Sequence, residues 1–175
     1  MKNVILIGFM GTGKTSTGRL LANRIGYSFI DTDNKIEAVN KMSIPEMFRK
    51  YGEKYFRERE TEIIKTIAKY HHAVISTGGG VVLNPHNMNL LSQNGVVVSL
   101  TASIDSILER TSRRNSRPLL ETVDRRKVIE ELLKSRIEFY RKADCVIDTS
   151  NISPLQVTDK IIDFMRKGGI LRARG

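Results

Sequence analysis

Residues 5 to 15 read Ile-Leu-Ile-Gly-Phe-Met-Gly-Thr-Gly-Lys-Thr, an apolar run that breaks into glycines and closes on Lys14-Thr15. Gly8 with Gly13-Lys14-Thr15 satisfies the spacing G-x-x-x-x-G-K-[ST], which has a mechanism when a strand precedes it and a helix follows. Glycines at 8, 11 and 13 let the backbone curl so that successive N–H groups face phosphate oxygens. The partial positive charge of the helix start adds to that attraction. The stretch predicts a nucleoside triphosphate site formed by Gly11, Thr12, Gly13, Lys14, Thr15 and Ser16, with Lys14 reaching the β- and γ-phosphates and the Thr15 hydroxyl ligating Mg²⁺. A glycine-rich turn without a ligand is the weaker alternative, because strand, loop and helix follow one another in the required order.

Outward from this loop, short β-branched runs recur at 3–7, 28–31, 73–76, 96–100 and 145–148, separated by segments of helical period. The runs lack in-and-out alternation, which predicts strands covered on both faces. The expectation is an α/β fold, a parallel sheet of about five strands between helical layers, in a single domain over residues 1–175. Helices are expected at 14–24, from near Ser43 with Pro45 and Glu46 behind it, and from about Glu53 to Tyr70 with Phe56, Glu60, Ile63, Ile64 and Ile67 on one side. Others cover roughly 85–93, 103–111, 124–142 and 154–167. The tail 168–175 reads as frayed.

The chain's 175 residues, 40% of them hydrophobic, suit one core. No apolar run is long enough to cross a membrane, and Met1-Lys2 leads into strand-like sequence without a signal peptide, so a cytoplasmic protein is expected. The single cysteine, Cys145, has no internal partner and reads as packing in a buried strand. Of the net charge of +10, much lies in residues 110–142, where eleven Lys/Arg face five Asp/Glu. Beside a phosphate-binding loop this excess suits ATP. Nucleic acid is disfavoured as a partner, because there is no Trp, and no Phe or Tyr between 71 and 138 to interleave with the basic cluster.

Five further stretches carry chemistry. Asp31-Thr32-Asp33 ends the second strand, where ligands of an open parallel sheet gather; one carboxylate suits Mg²⁺ and the other an acceptor hydroxyl, although an Asp at a strand end is also a common helix cap. Ser76-Thr77-Gly78-Gly79-Gly80 ends the third strand, with Ser76 near the metal's water shell and the glycines close to a ligand. Arg136 falls in the apolar stripe of its helix between Leu132, Leu133 and Tyr140, and an inward arginine wants an anion. Arg57 precedes Glu60 by three residues, so that the carboxylate can fix the guanidinium, and two arginines on one cavity would grip a planar carboxylate. Finally, Thr111-Ser112-Arg113-Arg114-Asn115-Ser116-Arg117-Pro118 is polar, basic and without period. It reads as a lid over ATP, with Arg117 at the phosphates and Arg110 at its root; a nucleic-acid contact is the competing reading.

Together, Gly-Phe-Met-Gly-x-Gly-Lys-Thr at 8–15, Asp-Thr-Asp at 31–33, Phe-Arg-x-x-Glu at 56–60, Gly-Gly-Gly at 78–80, Arg-Pro-Leu-Leu at 117–120 and Arg136 with Tyr140-Arg141 resemble the shikimate kinases, of the nucleoside monophosphate kinase-like P-loop fold. The resemblance runs to about residue 165. It implies a three-layer α/β/α sandwich with strand order 2-3-1-4-5, a shikimate-binding segment at about 33–60 and a lid at about 111–123. It also implies an activity, transfer of phosphate from ATP to the 3-hydroxyl of shikimate on the route to chorismate and the aromatic amino acids, by a protein expected to be a monomer. By the same resemblance Asp33 holds the acceptor hydroxyls and serves as base, Arg57 and Arg136 bind the carboxylate, Gly78, Gly79 and Gly80 line the acceptor pocket, Arg117 stabilises the transferring group, and Lys14, Thr15, Asp31 and Ser76 serve ATP and Mg²⁺. The chain departs from the pattern after the fifth strand, where some members place a basic residue against adenine and this one reads Asp148-Thr149-Ser150-Asn151-Ile152-Ser153-Pro154. Two alternatives stay open: another small-molecule kinase of the fold, such as a gluconate kinase, or a nucleotide-binding module without catalysis.

Overall fold

The strand that leads into the glycine loop, β1 (Asn3–Gly8), is buried along its whole length. In the computed structural model, which describes residues 2–112 and 124–171, it is joined by β2 (Ser28–Asp31), β3 (Ala73–Ser76), β4 (Gly95–Thr101) and β5 (Cys145–Asp148). All pairings are parallel, and the five strands run in the order β2-β3-β1-β4-β5. Val4 sits opposite Val74 on one side and Val96 on the other, which puts β1 at the centre.

Apolar residues on both faces of β1 explain why its sequence shows no alternation. Val4 and Leu6 belong to a core with Val74, Val98 and Leu21, under α1 (Lys14–Ile25) and α7 (Pro154–Lys167). Ile5 and Ile7 belong to the opposite core with Ile75, Val97, Ile64 and Ile107, under α3 (Ile44–Ile67), α4 (Pro85–Gln93), α5 (Ile104–Ser112) and α6 (Arg125–Tyr140). Helical layers thus cover both faces of the sheet, as a parallel sheet requires. Full coverage fails at the margins: β2 and β5 are edge strands, and Val146 is 48% exposed. Cys145 lies in a strand as expected, but only partly buried.

Three other expectations need correction. A helix that the sequence reading did not contain, α2 (Thr32–Asn40), follows β2 directly, capped by Asp31. Thr111 and Ser112, read as the start of the lid, are the last residues of α5, and Thr111 is buried; the remainder of that stretch, 113–123 with Arg117, lies outside the described residues. In the tail, Ile170 and Leu171 pack against the α1/α7 core, and both donate backbone hydrogen bonds to Met165 O at 2.8 and 3.3 Å. A 3₁₀ turn at Val81–Leu83 completes the elements.

Candidate active site

The carboxyl ends of β1, β2, β3 and β5 open on one cavity of about 750 Å³. Each strand delivers a different group to it, which is the consequence of parallel order: all four strands end on the same side of the sheet.

At the β1 end, Gly13 has φ of +91° and serves as N-cap of α1. A side chain there would be strained. Thr12 Oγ1 donates to Phe9 O at 2.8 Å, fastening the loop to itself. The Lys14 ammonium arches back over the loop and donates to Gly8 O and Phe9 O, both at 2.8 Å. Thr15 and the exposed Ser16 line the cavity beside it.

At the β2 end, Asp31 is a helix cap that also reaches the phosphate loop. Its Oδ1 accepts from the backbone N–H groups of Asp33 and Asn34, at 3.1 and 3.3 Å, as the cap of α2. Its Oδ2 accepts from Thr15 Oγ1 at 2.9 Å, which joins the second strand to the phosphate loop. Ser76 stands opposite Asp31 in the β2–β3 register and lines the same cavity.

At the β3 end, Gly78 and Gly80 occupy places with little room for a side chain. A Cβ on Gly78 would lie 2.9 Å from Asp33 Oδ1 and 3.1 Å from Glu60 Oε1. One on Gly80 would come within 2.7 Å of Arg57 Cζ, and one on Gly79 would meet Arg136 Nη1 at 3.6 Å. The turn is therefore surrounded by two carboxylates and two guanidinium groups. Arg57 Nη1 donates to Glu60 Oε2 at 3.0 Å, while its Nη2 and Nε reach Glu53 Oε1 at 3.0 and 3.2 Å. Arg136, 3% exposed, lies with its guanidinium 5.8 Å from the Phe9 ring centre.

The electrostatics follow from burial. Glu60 is 1% exposed, and burial pushes its carboxyl up from the ordinary value against the pull of Arg57. Arg57 is itself partly desolvated, yet Glu60 and Glu53 together hold it above its usual value. Burial pushes the Tyr140 phenol up to about 12, with Arg136 and Arg57 acting in the other direction. It therefore stays a donor, and its hydroxyl gives a 2.6 Å hydrogen bond to Gly79 O.

A family model described as shikimate kinase matches residues 10–166. The chain belongs to the shikimate kinase family. A shikimate kinase from Thermodesulfovibrio yellowstonii is 48% identical over 162 residues, covering 93% of this chain and 94% of that protein. One from Caldicellulosiruptor saccharolyticus is 46% identical over 164 residues, with 94% and 95% covered. Among solved structures, a shikimate kinase from Acinetobacter baumannii in complex with shikimate matches with a TM-score of 0.94 at 35% identity, over 98% of this chain and 96% of that one. The shikimate kinase from Aquifex aeolicus matches at 0.82 with 32% identity, over 96% and 98%.

Of the residues singled out from sequence in this shikimate kinase family member, Gly11 through Ser16, Asp31, Asp33, Arg57, Ser76, Gly78 through Gly80, Arg110 and Arg136 all line the one cavity. Arg117 lies outside the described residues. Arg110 stands at the cavity edge with its guanidinium held by main-chain oxygens, Nη1 on Gly11 O at 3.2 Å and Nη2 on Thr149 O at 2.7 Å. Glu53, the Tyr140 hydroxyl and Thr149 were not singled out as site residues. The first had a signal, since it lies one helical turn before Arg57; the other two act on main-chain carbonyls, which leave no mark in a sequence.

Proposed function

We propose that this cavity transfers the γ-phosphoryl group of ATP to the 3-hydroxyl of shikimate, giving ADP and shikimate 3-phosphate. One observation carries the reading: two guanidinium groups, Arg57 and Arg136, flank the Gly78–Gly80 turn in the same cavity as a complete phosphate-binding loop, with Asp33 beside that turn. An acceptor that is an anion at one end and an alcohol at the other satisfies all of them.

In this reading, Arg57 and Arg136 grip the shikimate carboxylate through their planar donor sets. Asp33, in the first turn of α2, accepts from the attacking hydroxyl and takes its proton as the oxygen–phosphorus bond forms. The loop amides and Lys14 hold the phosphates in line, and Arg117 adds positive charge where the equatorial oxygens gather it. Thr15, Asp31 and Ser76 offer the oxygen donors that a hard cation takes, so they would hold Mg²⁺. When bound, that ion supplies charge neutralisation at the β- and γ-phosphates. The adenine is assigned to Ile152, Pro154 and Val157 of the cavity lining, apolar residues of the sequence that follows β5.

We place the work in the cytoplasm, by a monomer without nucleic-acid or membrane partners; among the described residues no helix is long and apolar enough to cross a membrane. The test is ADP release with shikimate, gluconate and nucleoside monophosphates offered in parallel. Turnover with shikimate alone is expected, and preference for gluconate would replace the reading with that of its nearest rival.

A further inference from the structure

Thr149, the first residue after β5, is 3% exposed, and its side-chain hydroxyl sits where three segments meet. The oxygen accepts from Arg110 Nη1 at 3.0 Å. It also lies 3.0 Å from Thr12 O in the phosphate loop and 3.0 Å from Thr101 O at the end of β4. A hydroxyl has one proton to give. Thr101 O already receives the Thr149 backbone N–H at 2.9 Å, whereas Thr12 O has the hydroxyl as its side-chain donor. Arg110 holds the preceding carbonyl, Gly11 O, from the same side.

A trans peptide is planar, with its C=O and N–H pointing in opposite directions. With Thr12 O held on Thr149, the N–H of the same peptide, that of Gly13, points away from Thr149, and Gly13 itself lines the cavity. No side chain of Gly13 fixes that plane, and among the described residues beyond its chain neighbours the one atom within 4 Å of a Cβ there is Thr17 Oγ1, at 3.9 Å. We infer that Thr149 is a positioning residue for the phosphates: through Thr12 O its hydroxyl fixes the peptide that presents the Gly13 amide to a polyphosphate. The inference rests on the reading of this loop as the triphosphate site.

Thr149→Val keeps the shape and loses the hydroxyl, while Thr149→Ser keeps the hydroxyl. Titration calorimetry is to be run with Mg-ADP, inorganic tripolyphosphate, adenosine and shikimate on both variants and the parent. In the valine variant, binding of Mg-ADP and of tripolyphosphate is expected to weaken by roughly 10- to 150-fold, the effect of one lost charge-assisted hydrogen bond. Adenosine and shikimate should stay within about twofold, and the serine variant should recover most of the loss. Unchanged polyphosphate binding in the valine variant overturns the inference, as does a loss confined to adenosine or shared equally with shikimate. A parent protein that binds neither Mg-ADP nor tripolyphosphate overturns the underlying reading instead. Should the valine variant not fold, Thr149→Ala takes its place, with the same expected and overturning outcomes.

Discussion

At the scale of single residues, the site divides between side chains that touch a ligand and side chains that hold the backbone for it. Arg136 belongs to the first kind in the proposed reading. Arg136→Lys keeps the charge and loses the planar fork, so shikimate affinity is expected to fall by about 1.5–3 kcal/mol with ATP affinity little changed; calorimetry with each substrate checks this, and equal losses would make Arg136 a phosphate contact. Asp33 and Asp31 are expected to part company. Asp33→Asn should lower turnover by roughly 10² to 10⁴ at every metal concentration. Asp31→Asn should be partly rescued by added Mg²⁺, since Asp31 is paired with Thr15; identical metal dependence in steady-state assays would merge the two into one site. Tyr140 belongs to the second kind. Tyr140→Phe removes the donor to Gly79 O and should raise KM for shikimate several-fold with kcat less affected. The motif residues that line the cavity were legible because their spacing constrains them. Tyr140 and Thr149 were not, because a carbonyl is the same whatever residue bears it.

Among the elements, α3 shows most directly how backbone and function are linked. Gly52 has φ of 79° and ψ of 174°, a conformation essentially closed to other residues, and it divides the helix into two rods. The sequence reading had separate helices starting near Ser43 and near Glu53, and the break falls between them. The second rod carries Glu53, Arg57 and Glu60 on the side that meets the glycine turn. A Cβ at Gly52 would meet nothing within 4 Å, so the effect of Gly52→Ala is purely conformational. A loss of about 1–3 kcal/mol in thermal or denaturant unfolding is expected, together with a raised KM for shikimate as the second rod rotates. Unchanged stability would mean that the break is not imposed by the glycine. Helix α2 escaped the sequence reading for a physical reason: Ile36 is its one fully buried apolar residue, so it shows no helical stripe. Its cap, Asp31, also carried a stronger signal as a ligand.

For the whole molecule, stability and pH are linked through Glu60, which faces Arg57, Asp33 and Arg136. Its folded value lies above the unfolded one, so its contribution is full below the ordinary glutamate value of about 4.5 and is lost as pH rises through the folded value. Glu60→Gln lacks that loss. The variant's melting temperature, taken relative to the parent's, should therefore climb as pH is raised from about 4.5, while its KM for shikimate rises because Arg57 is less firmly held; a gap flat with pH would remove Glu60 as the linked group. The fold class was legible because β-branched runs and helical segments alternate. The strand order was not contained in that pattern, since periodicity tells which face a strand buries and nothing about its neighbours; it came from the motifs' resemblance to a family. The edge strands were read as fully covered for the same reason. The central place of β1 also bears on how the chain is made. It leaves the ribosome before both strands that flank it and must wait for residues near Val74 and Val96 before either flank can pair, so the phosphate loop is synthesised before the sheet that shapes it. A nascent chain stalled before β4 would carry the whole glycine motif and still be unable to retain nucleotide.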